Sequence, residues 1–329
     1  MKALITGGAG FIGMHLSMKL IEKGYELVIA DNFSRAVQDS YVKKLSAEEK
    51  VTLCSVDLLD EQAVMQLGMD FDYIYHLAAI IGVQNVLNHS YDVLANNAEL
   101  LINIIKLGKK QKSLKRLIFA STSEVYAGTL QYYGLTLPTP EDTSLTITDL
   151  KHPRTSYMLS KIYGEALMQQ SGLPFTIIRP HNFYGPRMGM SHVIPELLRK
   201  SYKNEGDGIL EVFSADHRRT FCYIDDAIEM VTRLAETEEA AGETFNVGTE
   251  APEYTMRKVG QLVLKVTDKP YSIRELPPSP GSPERRCPDM KKTEKATGYK
   301  PVVGLEEGIR RTFAWYKENI FDGKEICAK

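Results

Sequence analysis

Two residues one helical turn apart, Tyr157 and Lys161, carry chemistry that can be read directly from their types and spacing. The segment 155–171 has helical spacing, so side chains four apart share a face and can meet one ligand. A phenol with its ordinary pKa of about 10 is a poor base at neutral pH, but an ammonium close by favours the phenolate. Tyr157 is then suited to take a proton from a hydroxyl while the carbon bearing it is oxidised. A Tyr-x-x-x-Lys also occurs on ordinary solvated helices. What lifts this one above that is its company: Ser121-Thr122-Ser123 ending an apolar run, and a glycine-rich start to the chain.

Such a pair needs a scaffold, and residues 1–32 supply its pattern. Lys2 to Thr6 is an apolar, β-branched run; Gly7, Gly8, Gly10 and Gly13 interrupt it. Phe11, Ile12, Leu16, Leu20 and Ile21 then recur at helical spacing up to Gly24, and a second apolar run, Glu26 to Ala30, stops at Asp31. This reads as one βαβ unit. In its G-x-x-G-x-x-G turn, one glycine permits the sharp bend, another lets backbone amides approach a pyrophosphate, and the third lets helix and strand pack closely. Gly7, Gly10, Phe11, Ile12 and Gly13 are therefore the pyrophosphate candidates, at the positive end of a helix. Asp31, with Asn32 beside it, is placed to accept from the hydroxyls of an adenosine ribose and to repel a 2′-phosphate, which points to NAD rather than NADP. Arg35 is the contrary feature, because an arginine there accommodates a 2′-phosphate. With such a cofactor, the hydride partner of the Tyr157 proton transfer is a nicotinamide.

Beyond Asp31 strands and helices keep alternating. Val51 to Val56 ends in Asp57-Leu58, Tyr73 to His76 in Leu77-Ala78-Ala79, and Leu117 to Ala120 in Ser121-Thr122-Ser123; a long helical pattern runs from Tyr91 to Lys110. The fold class expected is α/β, a Rossmann-type doubly wound parallel sheet, whose ligands lie outside the carboxyl ends of the strands. Asp57 divides evenly between a loop-capping aspartate and a contact to an adenine amino group.

Composition narrows the function classes. The 329 residues, 43% of them apolar, suffice for a full core. Forty basic against 42 acidic residues, with no basic block, argue against nucleic acid as the main partner. Cys54, Cys222, Cys287 and Cys327 are scattered without a C-x-x-C pair, which fits reduced thiols and gives no metal site. The first strand begins almost at once, leaving no room for a signal peptide, and no apolar run approaches the ~18 residues of a membrane span. A cytoplasmic protein with a small ligand and no membrane partner is expected.

With these pieces the chain resembles the extended short-chain dehydrogenases/reductases, specifically the NAD-dependent nucleotide-sugar epimerase/dehydratase family. The matching stretches are Thr6 to Gly13, Asp31-Asn32, Asp57-Leu58, His76 to Ala79, Asn96-Asn97, Thr122 to Tyr126, Tyr157 with Lys161, Arg179-Pro180, Asn182 with Tyr184 to Pro186, Arg219 with Asp225-Asp226, Phe245 to Gly248, and Arg285-Arg286 with Pro288-Asp289. They span nearly the whole chain. The resemblance implies an NAD-binding domain of residues 1–178 plus about 225–250, and a smaller, partly helical nucleotide-sugar domain of 179–224 and 251–329. It places Asp57, Leu58, Leu77, Ala78, Ala79 and Asn97 along the cofactor, Pro180 beside the nicotinamide, Asn182 facing the sugar diphosphate, and Arg219 and Arg286 on phosphate, where a guanidinium fork binds two oxygens. His181 and the segment 188–192 depart from the commoner pattern where the substrate pocket is expected; His192 reads more readily as structural than as a catalyst. Asp225-Asp226 reads as a helix cap. Relatives commonly dimerise through two helices, here 91–110 and 155–171, with Leu100, Ile104, Leu159, Tyr163 and Leu167 as interface candidates.

All branches of the family remove hydride from a sugar carbon, usually C4, and then diverge. Thr122 occupies the family's hydroxyl position, Ser123 the position where dTDP-glucose dehydratases carry an aspartate, and Glu124 the position of their base. The leading expectation is a 4-epimerase of a UDP-hexose or UDP-hexuronate. Thr-Ser-Glu and the Arg286-x-Pro-Asp arrangement resemble UDP-glucuronate decarboxylases, which with nucleotide-sugar dehydratases form the alternative. From a different class stands a non-catalytic nucleotide-sugar binder, against which an intact Thr122, Tyr157 and Lys161 speak. The stretch 127–152 is long for the family, and its Tyr132-Tyr133 pair either closes over the sugar or packs.

Overall fold

The computed structural model describes residues 1–34, 39–203, 208–278 and 283–322. Arg35 and Cys327 lie outside the described residues. The strands are β1 (Lys2–Thr6), β2 (Glu26–Asp31), β3 (Val51–Ser55), β4 (Tyr73–His76), β5 (Arg116–Ala120), β6 (Phe175–Pro180), β7 (Phe183–Tyr184), β8 (Ile209–Phe213), β9 (Arg218–Arg219), β10 (Cys222–Tyr223), β11 (Glu243–Val247), β12 (Tyr254–Thr255), β13 (Ser272–Leu276) and β14 (Arg285–Arg286).

Among the described residues seven strands form one parallel sheet in the order β11-β6-β5-β4-β1-β2-β3. The order reverses at β1, which pairs β2 on one side and β4 on the other, so the ends of β1 and β4 flank the crevice where such sheets hold ligands. Strands buried on both faces read as continuous apolar runs, as β1 does. Its Ala3 and Ile5 enter one core with Leu16, Leu20 and Tyr75, whereas Leu4 enters the other with Ile74, Leu101, Leu117 and Met168. Helices Phe11–Glu22 and Ile224–Glu236 lie together on the first face, and Ser90–Lys110 and Arg154–Gln170 together on the second.

Smaller sheets form the second lobe: β7 with β10, β8 with β13, and β12-β9-β14. Among its ties to the first are an ion pair and a strut. Arg187, just after β7, forms a buried ion pair with Asp39 and donates to Ala9 O at 3.0 Å. The stretch 127–152 starts as a helix (Ala127–Tyr133) and then runs to Thr139, whose N–H donates to Cys287 O and whose carbonyl accepts from Asp289 N, both at 2.8 Å. That stretch is therefore a strut that fixes the segment carrying Arg286. Tyr132 and Tyr133 pack edge to face on each other and stay exposed.

The structure corrects two expectations. Asp226 does not cap its helix; it is buried and accepts from the Tyr299 hydroxyl and from Val302 and Val303 N–H, stapling the C-terminal segment onto the helix. A capping side chain must face the helix end, and Asp226 points sideways, while exposed Asp225 pairs with Arg311 at 3.6 Å. Leu100 and Ile104 are packed in the chain's own core, so they cannot serve a dimer face; Leu159 and Leu167 are half-buried and Tyr163 is exposed. No described helix is long and apolar enough to cross a membrane.

Candidate active site

The turn after β1 is built for close approach. Gly7 has φ +70°, and a Cβ on it would meet Ala78 N at 2.8 Å, so only glycine lets the ends of β1 and β4 come together here. A Cβ on Gly13 would lie 2.4 Å from Gly7 O, which closes the helix start against the turn. The helix begins at Phe11 with Gly10 as its cap residue and no side chain bonded to its first amides. Unpaired first-turn N–H groups of Phe11, Ile12 and Gly13 at a helix's positive end fit a pyrophosphate.

Asp31, at the end of β2, accepts Ala9 N at 3.0 Å through Oδ2 and Phe33 N at 2.8 Å through Oδ1. Each carboxylate oxygen retains a lone pair for a ribose hydroxyl. Asn32 is exposed and turned back on Ser34. We expect Asp31→Ala to reduce the preference for NAD over NADP by roughly ten- to a hundred-fold, the range of a hydrogen bond to a charged group. Dissociation constants for both cofactors measure it; a wild type that prefers NADP would instead make Arg35 the deciding residue.

The remaining cofactor candidates divide. Leu77, Ala78 and Ala79 follow β4 at the crevice, with Leu77 N bonded to Thr6 O and Ala78 N to the Thr6 hydroxyl. Asp57 is exposed and accepts Leu59 N, a loop-capping contact, while the Leu58 side chain is in the core, so only its backbone is available. Asn97 is committed: its amide accepts Ile80 N at 2.7 Å and donates to Ile80 O at 3.1 Å. It holds the loop after β4 instead of reaching a ligand. Pro180 ends β6, opposite Val247 of β11.

Tyr157 and Lys161 lie on helix Arg154–Gln170, against the end of β5. The Tyr157 phenol faces Thr122, and burial, opposed by the Thr122 side chain, pushes it up to about 12. Lys161 is buried, its Nζ 6.0 Å from the Tyr157 ring centre, and donates to Ala120 O at 2.7 Å. Burial pulls Lys161 down to about 8. The expectation that Lys161 already lowers Tyr157 is thus not met in the ligand-free chain: its proton goes to a main-chain carbonyl, and desolvation governs the phenol.

Thr122 heads a short 3-10 turn, Ser123–Tyr126, and accepts Glu124 N at 3.2 Å. This turn presents Glu124 to Arg286, whose Nη1 donates to Glu124 Oε1 at 2.9 Å and to Ser123 Oγ at 3.3 Å. The Arg286 guanidinium holds the Glu124 carboxyl below its usual range. Arg286 and Arg219 are register partners on β14 and β9, so two guanidiniums lie side by side. Arg219, drawn down to about 10 by burial and by Arg286, donates to the carbonyls of Arg218, Pro283 and Glu284. Arg286 engages Ser123 and Glu124 through Nη1 alone.

Asn182 has φ +45° and donates to Thr220 O at 2.9 Å, which bends the chain between β6 and β7. His181 is buried and neutral, drawn down to about 3 by desolvation, with Nε2 2.9 Å from Asn246 Oδ1. His192 is exposed, in the turn before helix Val193–Lys203, where its backbone closes on Gly189 O. Sequence spacing did not single out Glu165, Tyr126 or Asn246, which form a buried network with Arg179 behind the site. One signal was available for Glu165: it continues the Tyr157, Lys161 spacing by four.

Comparison with known proteins accounts for this arrangement. A model of the NAD dependent epimerase/dehydratase family matches residues 3–248. The chain is 32% identical to UDP-N-acetyl-alpha-D-glucosaminuronate decarboxylase of Bacillus cytotoxicus, over 96% of this chain and 98% of that protein. It is 29% identical to UDP-glucuronic acid decarboxylase 1 of Danio rerio, over 97% of this chain and 73% of that one. Among solved structures, UDP-glucuronic acid 4-epimerase from Bacillus cereus, in complex with UDP-glucuronic acid and NAD, superposes with a TM-score of 0.80 at 26% identity, covering 97% and 99% of the two chains. The chain therefore belongs to the NAD dependent epimerase/dehydratase family and is an NAD-dependent enzyme, its named relatives acting on nucleotide sugars.

Proposed function

We propose that this enzyme decarboxylates a UDP-hexuronate after transient oxidation at C4. The observation that carries the reading is the Glu124–Arg286 pair, 2.9 Å apart, with Glu124 on the short turn headed by Thr122, which faces Tyr157. Bound NAD supplies the acceptor for the C4 hydride. Tyr157 takes the C4 hydroxyl proton, held in line by Thr122. The resulting ketone stands β to the C5 carboxylate, so the carbon–carbon bond breaks with its electron pair drawn onto the C4 oxygen, and carbon dioxide leaves. Tyr157 returns its proton to that oxygen, takes it back as C5 is protonated, and gives it up once more when the C4 ketone takes its hydride back, so that base and cofactor would both end as they began. Arg286 is the cation for the departing carboxylate, and the Glu124 carboxylate beside it is the group that relays a solvent proton to C5 in its place. Arg219 and Asn182 stay with the diphosphate.

The names of the relatives support this ordering over the 4-epimerase expected from sequence, since UDP-hexuronate decarboxylases match along almost the whole chain. The 4-epimerase remains the second reading because a UDP-glucuronic acid 4-epimerase shares the fold at 26% identity. One experiment separates them. The purified protein is incubated with NAD and, separately, UDP-glucuronate and UDP-N-acetylglucosaminuronate, and products are weighed by mass spectrometry. A product lighter by one carbon dioxide is expected; an isomer of unchanged mass and altered retention would make the enzyme an epimerase.

A further inference from the structure

Tyr157, Lys161 and Glu165 follow one another at steps of four on helix Arg154–Gln170 and so share one face. The proposed mechanism uses Tyr157, and Lys161 is the cation beside it. Glu165 is also buried, at 7% exposure, and is held by three bonds: Ser121 Oγ at 2.5 Å, Arg179 Nε at 2.9 Å and Arg179 Nη2 at 2.7 Å. Arg179, on β6, is buried too and donates Nη1 to the Tyr126 hydroxyl at 2.6 Å and to Glu141 O at 2.9 Å. The end of β5 joins the two charges, because Ala120 O takes the Lys161 proton bond and the next residue, Ser121, bonds Glu165.

Among the described residues the surroundings of Lys161 leave Glu165 as its counter-charge. Phe119, on β5, lies under the ammonium at 4.9 Å, and beyond it His76 on β4 is neutral, drawn down to about 3 by burial. Helix Ser90–Lys110 contributes Asn97, an uncharged amide bonded to Ser160. From β6 comes Arg179, a cation already paired with Glu165. Desolvation drives Lys161 toward its neutral form, and Glu165 is the group that opposes it.

We propose that Glu165 and Arg179 are opposing positioning residues of the proton-transfer site: Glu165 keeps Lys161 charged, Arg179 limits how strongly, and Lys161 passes the balance to Tyr157. The inference rests on Tyr157 being the base. Removing the Glu165 charge deprives Lys161 of its anion and leaves Arg179 uncompensated, and both effects favour neutral Lys161. The phenolate then loses its ammonium. Removing the Arg179 charge leaves the full carboxylate on Lys161, which stays cationic and favours the phenolate. Glu165 acts on Tyr157 mainly through Lys161, since it lies two helical turns away, about 12 Å along the axis, against about 6 Å for Lys161.

The test needs no substrate. Tyrosinate absorbance of the NAD-loaded protein is titrated, and the difference between wild type and Tyr157→Phe isolates Tyr157 from the other tyrosines of the 17 present. The same difference is taken in the Glu165→Gln and Arg179→Gln backgrounds. Glu165→Gln is expected to move the Tyr157 midpoint up, and Arg179→Gln to move it down, each by roughly one unit, the low end of the effect of a nearby charge. The double variant carries no unpaired buried charge and is expected to titrate near wild type. If Glu165→Gln alone fails to fold, the step from Arg179→Gln to the double variant gives the same comparison, an expected rise of about one unit. No movement, or movement of both single variants in one direction, overturns the role of Glu165. Absence of any Tyr157 difference titration overturns the base assignment, and this inference with it.

Discussion

Tyr157→Phe is expected to lower turnover by ~10²–10⁴, the range for removing a general acid–base group, while leaving the fold and NAD content intact. The ring stays in its packing, and what is lost is a hydroxyl facing Thr122, a net stabilisation of about 1 kcal/mol at most. In the ligand-free chain burial places the phenol at about 12, so its proton-accepting form at neutral pH depends on positive charge brought near it. Lys161, one turn away and dry, is the chain's own source of that charge. Thermal unfolding, bound NAD and product formation from the UDP-hexuronates are measured on one preparation. A loss of turnover accompanied by loss of fold or of NAD would reduce Tyr157 to a structural residue; full activity of the variant would remove the mechanism at its first step. The prediction holds for a decarboxylase and an epimerase alike, because both begin with the same oxidation.

The βαβ unit was legible because each of its elements leaves a local mark. β1, its glycine turn, the helix from Phe11 and β2 occupy the residues read from periodicity, since chain geometry there depends on near neighbours in sequence. Tyr157 and Lys161 were legible for the same reason: helical spacing alone puts them on one face. What sequence did not yield are contacts made across long separations. Asp226 looked like a cap because it opens a helix, yet its partners Tyr299, Val302 and Val303 lie more than seventy residues on. Arg286 was placed on phosphate by the family resemblance. Only the pairing of β14 with β9, and the Thr139 strut beside Cys287 and Asp289, turn it toward Glu124. Asn97 is the third case, its amide consumed by Ile80 in a loop that periodicity does not describe.

Glu124→Gln separates the shared oxidation from the step that follows it. The amide keeps the reach of the carboxylate and can still accept from Arg286, so the 3-10 turn headed by Thr122 is expected to persist and Tyr157 to keep its partner. What disappears is the charge that Arg286 holds ionised. Arg286 and Arg219, side by side on β14 and β9, are then less compensated, so an anionic substrate binds at least as tightly and KM does not rise. In a decarboxylase kcat is expected to fall by ~10²–10⁴, because the acid–base group for the C5 proton is gone. Oxidation at C4 survives, and with its outlet blocked, reduced cofactor accumulates on the enzyme and is read by its absorbance. In an epimerase the 4-keto sugar only has to turn and be reduced on its other face, so the same variant would interconvert its isomers at nearly the wild-type rate with no accumulation. Stopped-flow absorbance combined with product mass reads both outcomes. Accumulation with stalled release of carbon dioxide supports the decarboxylase, and unimpaired turnover of Glu124→Gln would remove the Glu124–Arg286 pair from the chemistry and return the enzyme to the 4-epimerases.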